Sequence, residues 1–306
     1  MRVAAIDCGT NSIRLLVADI HDGTFREIDR RMEVVRLGQG VDKNKAFDPV
    51  AIERTLAATQ EYAEIIAAKG VEKVRFCATS ATRDATNRDL FIDGVRNILG
   101  IEPEVIPGVE EAALSFMGAT KESREGDGPF LVVDIGGGST EFVLGITSVE
   151  SAKSVNIGCV RMSERHLSHQ PPTPGAIAAA TTDIDAAIAS AAQDVAITSA
   201  KTLICVAGTA TTVAAAALGL DEYDRRAIHL SYISAEKVHE VALAFQSMTR
   251  DQIAALGYMH PGRVDVITAG SLVLSRVLRA TGAAGFIASE SDILDGIAWG
   301  LSIDAR

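Results

Sequence analysis

The chain has 306 residues, which is more than one ordinary hydrophobic core accommodates and suits two domains. Hydrophobic residues make up 47% of the chain and charged residues 23%, a composition typical of soluble globular proteins and not of disordered or fibrous ones. The net charge of −11, from 40 acidic and 29 basic residues, excludes a broadly basic nucleic-acid surface and predicts that long polyanions are repelled unless basic residues cluster.

The cysteines and the uncharged runs both predict a cytoplasmic protein without a membrane span. Residues 2–5 form a strand-like run directly after Met1, which leaves no place for a signal peptide. The run at 202–220 contains four threonines and two glycines, so it predicts a strand, a tight turn and a helix instead of a membrane span. We expect reduced packing cysteines, because none form a CxxC pair; they are Cys8, Cys77, Cys159 and Cys205.

Apolar runs predict three strands at the start of the chain. Two are expected at residues 2–5 and 13–20, on either side of the sequence DCGTNS, and a more polar one at 25–37. Apolar residues at helical spacing after Asp48, a capping residue type, predict a helix at 49–68. The other elements predicted for this half are a strand at 74–78, a loop and helix over 80–99, a strand at 105–106, a helix at 110–119 and a polar connector at 120–128.

The same order of elements starts again after the connector. Three strands come first, predicted at 130–134, 141–146 and 151–157. The elements predicted after them are a helix at 174–192, a strand at 202–207, helices at 209–218, 235–245 and 263–280, and a last strand and helix at 285–288 and 292–301.

This recurrence predicts an internal duplication. Aligning Asp7 with Asp134 places Arg14 over Glu141 and matches the apolar positions on both sides. The alternative is a chance similarity of two hairpins, but the matched strand order favours two similar α/β domains that face each other across a cleft. We expect an N-terminal domain at residues 1–122 and a C-terminal domain at 123–306, with the last helix packing back on the first domain.

Each copy closes a buried strand with an aspartate and continues with a turn rich in small residues. Glycines let the backbone come close to a ligand and aim several amides at one point, which suits phosphate oxygens. An aspartate cannot bind phosphate itself, so we expect it either to hold a cation, with Mg²⁺ the best fit, or to orient water. The alternative is a hairpin turn with a surface acid. The predicted phosphate-binding residues are Gly9, Thr10, Asn11, Ser12, Gly136, Gly137, Gly138 and Ser139.

A third loop has the same character. In LICVAGTATTVAAA a strand ends, Gly208 and Thr209 turn the chain, and a helix begins. The free amides at a helix start can bind an anion, so we add these two residues to the predicted phosphate site, although an ordinary capped helix is the alternative. Neither a dinucleotide fingerprint nor a P-loop fits, because a strand follows the three glycines and no Gly-Lys-Ser/Thr is present.

These loops together resemble the actin-like ATPase and sugar kinase superfamily, with its two ribonuclease H-like domains. A narrower resemblance is to the exopolyphosphatase/guanosine pentaphosphate phosphatase family, in its short two-domain actinobacterial form. The motifs that carry it are DCGTNSIRLLVADI, CATSATRDA, IPGVEEAALSFMGA, VVDIGGGSTEFVLG and SVNIGCVRMSE, with HPGRVDVITAGSLVL and SESDILDGIAWG near the end. The resemblance runs over the whole chain.

The resemblance implies a phosphoanhydride hydrolase that uses a divalent cation, usually Mg²⁺, with Mn²⁺ as the alternative. It implies that Glu111 is the base that activates water and that Arg83 contacts phosphate. It also implies that Asp134 and Glu141 are metal ligands, and our alignment adds Asp7 nearby. The helix geometry agrees in part: Glu110 and Glu111 point about 100° apart, so one of them faces the site. A homodimer is expected from the family alone.

The expected substrate is inorganic polyphosphate of short chain length, in view of the acidic charge and of the further C-terminal domains that longer family members carry. Three alternatives stay open. The first is a 5′-phosphatase of the alarmone pppGpp, the second an ATP-dependent kinase of the same superfold, and the third a catalytically weak regulator that binds alarmones or nucleotides. A nucleic-acid or membrane partner is not expected.

Overall fold

The computed structural model describes residues 1–21, 23–123 and 126–303. The strands, in chain order, are β1 (Arg2–Cys8), β2 (Ile13–His21), β3 (Thr24–Glu33), β4 (Lys73–Ala78), β5 (Glu104–Val105), β6 (Phe130–Ile135), β7 (Thr140–Gly145), β8 (Val149–Val155), β9 (Thr202–Val206), β10 (Tyr232–Ser234) and β11 (Gly285–Ala288). The helices are α1 (Val41–Asn44), α2 (Pro49–Ala68), α3 (Ser80–Asp84), α4 (Arg88–Leu99), α5 (Gly108–Thr120), α6 (Cys159–Arg165), α7 (Pro174–Asp194), α8 (Ala207–Ala217), α9 (Arg225–Ile228), α10 (Ala235–Ser247), α11 (Arg250–Ala254), α12 (Ile267–Thr281) and α13 (Ile293–Ile303), with a 3₁₀ turn at Pro261–Arg263.

The first compact unit comprises Met1–Gly118 and the residues from Ile293 onward. Its sheet has the order β3-β2-β1-β4-β5, with β1–β3 antiparallel and β4 and β5 parallel to β1. Both faces of β1 are buried because the sheet carries helices on both sides. Ile6 packs in a core with residues of α2 and α4, whereas Ala5 packs in a core with residues of α13.

The second compact unit comprises Ala119–Asp292. Its sheet has the order β10-β11-β9-β6-β7-β8, in which β6–β8 are antiparallel and β9 and β11 run parallel to β6. One large core holds residues from β6, β7, α7, α8, α10 and α12. Every residue of β6 is buried, as the apolar run that precedes Asp134 predicts.

The two sheets confirm the α/β class and the duplicated order of strands. Read from the edge strand inward, β3-β2-β1-β4-β5 corresponds to β8-β7-β6-β9-β11, and β10 is an addition at the far edge of the second sheet. The turns also match atom for atom at one point. The amide of Gly9 donates to the carbonyl of Ser12 at 2.9 Å, and the amide of Gly136 donates to the carbonyl of Ser139 at 3.1 Å.

Two local predictions were wrong, and each has a physical reason. The third strand, expected to reach residue 37, ends at Glu33 because the chain turns there to hydrogen-bond the loop after β1. The strand expected to end at residue 157 ends at Val155, and the unpredicted helix α6 follows it.

The run at 202–220 forms β9 and α8, which confirms the predicted strand, turn and helix. In the described part of the chain, none of the helices combines the length and the apolar surface that crossing a membrane requires. The four cysteines are buried and free of disulfides.

Candidate active site

Glu111 lies in the first turn of α5, in the first unit, and is buried with 8% of its surface exposed. The Nη1 atom of Arg83, on α3, donates to Glu111 Oε2 at 2.6 Å, and the Thr79 side chain also hydrogen-bonds to Glu111. The neighbouring Glu110 points elsewhere, and accepts a hydrogen bond of 2.6 Å from Arg75 Nη2. The structure therefore separates the two adjacent acids, one buried beside Arg83 and one half-exposed.

Burial raises the pKa of Glu111 above its ordinary value. The positive charge of Arg83 and its hydrogen bond act in the opposite direction, and the negative charge of Asp7 adds to the rise. A carboxylate whose pKa is moved toward neutrality is a stronger base than an exposed one. Glu111 therefore has the environment of a proton acceptor.

Arg83 is held in place from two sides. Besides its bond to Glu111, its Nη1 atom donates to the carbonyl oxygen of Ile106 at 3.0 Å. The Arg83 guanidinium is thus held by the Glu111 carboxylate and the Ile106 carbonyl, and its contact with phosphate, which the resemblance implies, stays a prediction. The contribution of Arg83 that follows from the geometry is to orient Glu111 and to favour its ionised form.

The first small-residue turn follows β1, and residues 36 and 38 support it. The carbonyl oxygens of Thr10 and Asn11 accept hydrogen bonds from the amides of Gly38 and Arg36, both at 2.8 Å. The Gly9 amide is engaged within the turn, by the carbonyl of Ser12. The hydroxyl of Thr10 is buried and has no hydrogen-bond partner among the described residues. This turn thus holds an unsatisfied buried donor next to the end of the strand.

Asp7, at the end of the same strand, is paired with an arginine. Its cross-strand partner Arg14 donates to Asp7 Oδ2 from Nη2 at 2.6 Å and from Nε at 3.0 Å. Both side chains lie at one register position, so the pair neutralises itself within the sheet.

The second turn, after β6, has its carbonyls bound by the start of α6. The carbonyl oxygens of Gly136, Gly137 and Gly138 accept hydrogen bonds from backbone amides of residues 158–161. In a trans peptide the N–H points opposite to the preceding C=O, so the amides of Gly137, Gly138 and Ser139 point away from α6. Among the described residues, no backbone carbonyl accepts a bond from these three amides. They form a ready nest for an anion.

At the same position as the Asp7–Arg14 pair, the second unit places two acids. Asp134 and Glu141 are cross-strand partners on β6 and β7, and both are buried. Ser154, on β8, donates from Oγ to Glu141 Oε1 at 2.7 Å. Two carboxylates at one register position repel each other unless a proton or a cation lies between them, and hard oxygen ligands of this kind suit Mg²⁺.

Three or more His, Cys, Asp or Glu side chains do not converge on one point anywhere in residues 1–21, 23–123 and 126–303. A site made by several protein ligands, as for structural zinc, therefore has no place in the described chain. Mg²⁺ keeps several waters and needs one or two carboxylates, so the Asp134–Glu141 pair fits this ion.

The third predicted loop joins β9 to α8. Ala207 has a left-handed backbone with φ 66°, and Thr209 is buried. Arg263 Nη1 donates to the carbonyl of Gly208 at 2.7 Å and to Thr212 Oγ1 at 2.8 Å, and a Cβ at Gly208 would overlap the guanidinium. A side chain at position 208 would therefore displace the Arg263 guanidinium.

Two features of the site were not predicted from the sequence. Thr79 contacts Glu111, although the loop CATSATRDA suggested Arg83 alone. Residues 158–161 support the second turn, although the motif SVNIGCVRMSE gave them no role. The only local signal for the start of α6 is that Gly158, at the N-cap position, is a residue type common there, and no capping side chain accompanies it.

Comparison with known proteins agrees with the motifs. The sequence profile of the Ppx/GppA phosphatase family matches residues 16–300. The chain is 46% identical to exopolyphosphatase 2 of Mycobacterium tuberculosis, with 98% of each chain covered. It is 37% identical to the guanosine-5′-triphosphate,3′-diphosphate pyrophosphatase of Vibrio atlanticus over 171 residues, which are 56% of this chain and 34% of that protein.

Solved structures give the same result. The crystal structure of an exopolyphosphatase-like protein superposes with a TM-score of 0.96 at 44% identity and covers 100% of both chains. That of an exopolyphosphatase from Cytophaga hutchinsonii has a TM-score of 0.91 at 25% identity and covers 100% of this chain and 99% of its own. The resemblance, the two-domain actin-like fold and the prediction of an enzyme are confirmed. The chain belongs to the Ppx/GppA phosphatase family.

Proposed function

We propose that this protein is an exopolyphosphatase that hydrolyses terminal phosphoanhydride bonds of inorganic polyphosphate, with a preference for short chains. The observation that carries the substrate class is the 46% identity to M. tuberculosis exopolyphosphatase 2 over nearly the full length of both proteins. The preference for short chains rests on the net charge of −11, because an acidic protein repels a long polyanion more than a short one.

Glu111 would act as the general base. The carboxylate accepts a proton from the water that attacks the terminal phosphorus in line, and the phosphoanhydride bond to the leaving phosphate breaks. Its raised pKa brings it closer to the operating pH, which favours proton transfer. Arg83 keeps a fraction of Glu111 ionised at that pH, since its charge opposes the effect of burial.

The two turns would bind phosphate oxygens through the backbone. In the second turn the outward amides of Gly137, Gly138 and Ser139 support this role, since their carbonyl sides are already held by α6. The amide of Gly136 donates to the Ser139 carbonyl within the turn, so we do not assign it to phosphate binding. In the first turn the buried hydroxyl of Thr10 is a further donor. Such fixed donors stabilise charge without reorganisation.

We propose Asp134 and Glu141 as the residues that hold Mg²⁺, because two carboxylates at one register position offer the hard oxygen ligands that this ion prefers. When bound, this ion neutralises phosphate charge as the bond breaks. Asp7, expected from the sequence to be a further ligand, is bound to Arg14 and is not assigned to the metal.

A direct assay of released phosphate tests the proposal. The purified protein is incubated with Mg²⁺ and with tripolyphosphate, long polyphosphate, pppGpp, or ATP and candidate acceptor sugars. We expect release from the short chains, lost by at least 100-fold in Glu111→Gln. Glu110→Gln is the matched control, because it changes the adjacent acid, which pairs with Arg75. Equal activity of Glu111→Gln and unchanged protein would contradict the role of Glu111.

A second candidate function is the removal of the 5′-phosphate of pppGpp. The similarity to the V. atlanticus pyrophosphatase over 171 residues favours it. If phosphate is released from pppGpp but not from tripolyphosphate, the substrate is pppGpp and not polyphosphate. Binding of pppGpp without turnover would support a regulator, and transfer to a sugar would support a kinase.

We propose a homodimer from the family alone, and sedimentation velocity measures the oligomeric state.

A further inference from the structure

Residues 158–161 bind the second phosphate turn through four backbone hydrogen bonds. Gly158 N donates to Gly138 O at 3.2 Å, and Cys159 N donates to Gly136 O at 2.9 Å. The amides of Val160 and Arg161 donate to Gly137 O at 2.9 and 3.1 Å. Four consecutive amides thus bind three consecutive carbonyls. We call residues 158–161 the clamp.

The clamp lies so close to the turn that its first residue has no room for a side chain. A Cβ on Gly158 would come within 2.3 Å of the carbonyl carbon and oxygen of Gly137 and within 2.4 Å of Gly138 N. The backbone of Gly158 is extended, with φ −73°, a conformation open to any residue. The glycine is therefore required by space and not by backbone strain, and alanine here would push the turn away.

One clamp side chain adds a charged bond to the same carbonyls. Arg161 is 6% exposed, and its Nε atom donates to Gly138 O at 2.7 Å. That carbonyl also receives the Gly158 amide. A hydrogen bond from a buried guanidinium is stronger than a neutral one, so Arg161 fixes the orientation of the peptide between Gly138 and Ser139. The opposite end of that peptide is the Ser139 amide, which points outward.

We propose that Gly158 and Arg161 are positioning residues for phosphate binding. They touch no substrate in this scheme, and act by holding three carbonyls toward α6 so that the amides of Gly137, Gly138 and Ser139 face the anion. The proposal rests on the assignment of the second turn to phosphate binding. The first turn differs, because backbone amides of residues 36 and 38 support it. The clamp in the second unit includes a side-chain bond, from Arg161, so a substitution of this residue can test it.

A merely structural role predicts a different result from a positioning role. If the clamp only stabilised the fold, its loss would lower the melting temperature and the fraction of active protein, with KM and Kd of the folded fraction unchanged. If it orients the amides, a folded variant binds anions more weakly. The discriminating measurement is therefore the dissociation constant, together with the binding stoichiometry that reports the folded fraction.

The experiment compares Arg161→Met, Arg161→Lys and Gly158→Ala with Arg165→Met. Arg165 lies on the same helix, is more exposed, and pairs with Asp183 at 2.7 Å, away from the turn. Tripolyphosphate binding is measured by calorimetry in the Glu111→Gln background, which prevents turnover, and kcat and KM are measured in the native background. Circular dichroism records the melting temperature of each variant.

We expect Arg161→Met and Gly158→Ala to raise Kd and KM about tenfold and to lower kcat/KM about 100-fold, because a displacement near 1 Å costs this much. Arg161→Lys, which keeps a charged donor without the planar fork, should lie between. Arg165→Met should match the unchanged protein. Folded Arg161→Met and Gly158→Ala variants with unaltered Kd and KM would overturn the proposal.

The outcomes also separate this inference from the proposed function. If the unchanged protein binds tripolyphosphate but releases no phosphate, the hydrolytic function fails while the Kd comparison still tests the clamp. If it hydrolyses tripolyphosphate and the clamp variants do so with the same KM, the clamp fails and the function stands. If it neither binds nor hydrolyses tripolyphosphate, both fail.

Discussion

Glu110 and Glu111 are neighbours in sequence but have different chemical environments. One forms an ion pair with Arg75 and is half-exposed, and the other is buried against Arg83 and Thr79. The 100° step of a helix is enough to separate them, but it does not determine which one is buried. The family resemblance chose Glu111, and the structure gives a physical reason for the difference between the two carboxylates.

The pH dependence of activity should report the Glu111–Arg83 pair. A general base must be ionised, so activity falls as pH drops below its pKa, and the raised pKa of Glu111 places this acidic limb above that of an ordinary glutamate. Arg83→Met removes the charge that lowers this pKa, so the limb should move to higher pH. A profile of kcat/KM against pH measures the shift. A limb that stays in place or moves to lower pH would contradict the coupling.

The metal requirement should depend on Glu141. Glu141→Gln keeps the shape of the side chain and removes one of two carboxylate charges, so the Mg²⁺ concentration at half-maximal activity should rise at least about tenfold. The rise of the melting temperature on adding Mg²⁺ should shrink in parallel. Glu150→Gln, an exposed acid on β8, is the control. An unchanged Mg²⁺ titration in Glu141→Gln would argue against the assignment.

At the scale of single elements, the junction of β9 and α8 stores backbone strain. Ala207 has φ 66°, in the region that costs a non-glycine residue about 1–2 kcal/mol. Ala207→Gly should therefore stabilise the second unit by up to about 1 kcal/mol. Ala210→Gly, three residues further along α8, should destabilise it by about 1 kcal/mol. Urea denaturation of both variants measures the difference, and equal effects of the two substitutions would refute the strain.

Most elements were predictable because their apolar residues follow a clear period. The buried strand β6 starts with four consecutive apolar residues, and α2 is capped by Asp48, whose side chain accepts a bond from the Val50 amide. The placement of Asp7 and Asp134 near the ends of β1 and β6 was predictable from the apolar runs before them, whereas their roles in the site stay predictions. Contacts between distant segments were not predictable: the bond from Arg83 to Glu111 spans 28 residues, and no local pattern encodes it.

The wrong element boundaries have two causes: an apolar pattern that continues past the end of a strand, and a helix too short to show a pattern. Val35 and Leu37 keep the alternation of β3, so they extended the predicted strand, yet both are buried after the chain has left the sheet. The helix α6 has seven residues and no side-chain cap, so neither period nor capping marked it. Because α6 supplies the clamp, the sequence could not predict how the second turn is held.

At the scale of the whole molecule, the first unit is discontinuous in sequence. The helix α13 contributes Ile293, Leu294, Ile297 and Ala298 to the same core as Val3, Ala5 and Leu16. It also packs closely on α5, where a Cβ at Gly296 would meet the carbonyl oxygen of Leu114 within 2.0 Å. One face of the first sheet is therefore completed by the last described residues of the chain.

Ending the chain after Asp292 should unfold the first unit and leave the second folded. The truncation exposes the apolar face that α13 covers, whereas the second unit is continuous over Ala119–Asp292. Limited proteolysis with mass spectrometry should show cleavage throughout Met1–Gly118 and protection beyond it. A milder change, Ile297→Ala, should cost about 2–4 kcal/mol. A truncated protein that resists cleavage in its first 118 residues would contradict this dependence.

The Asp7–Arg14 and Asp134–Glu141 pairs occupy corresponding positions in the duplicated halves but differ in charge. In the first half Arg14, on the neighbouring strand, is the counter-ion of Asp7. In the other half an acid, Glu141, stands at the position that corresponds to Arg14, and on our proposal the Asp134–Glu141 pair binds Mg²⁺. On this proposal, chelation of divalent cations changes the charge at this position in the second unit and leaves the Asp7–Arg14 pair of the first unit intact.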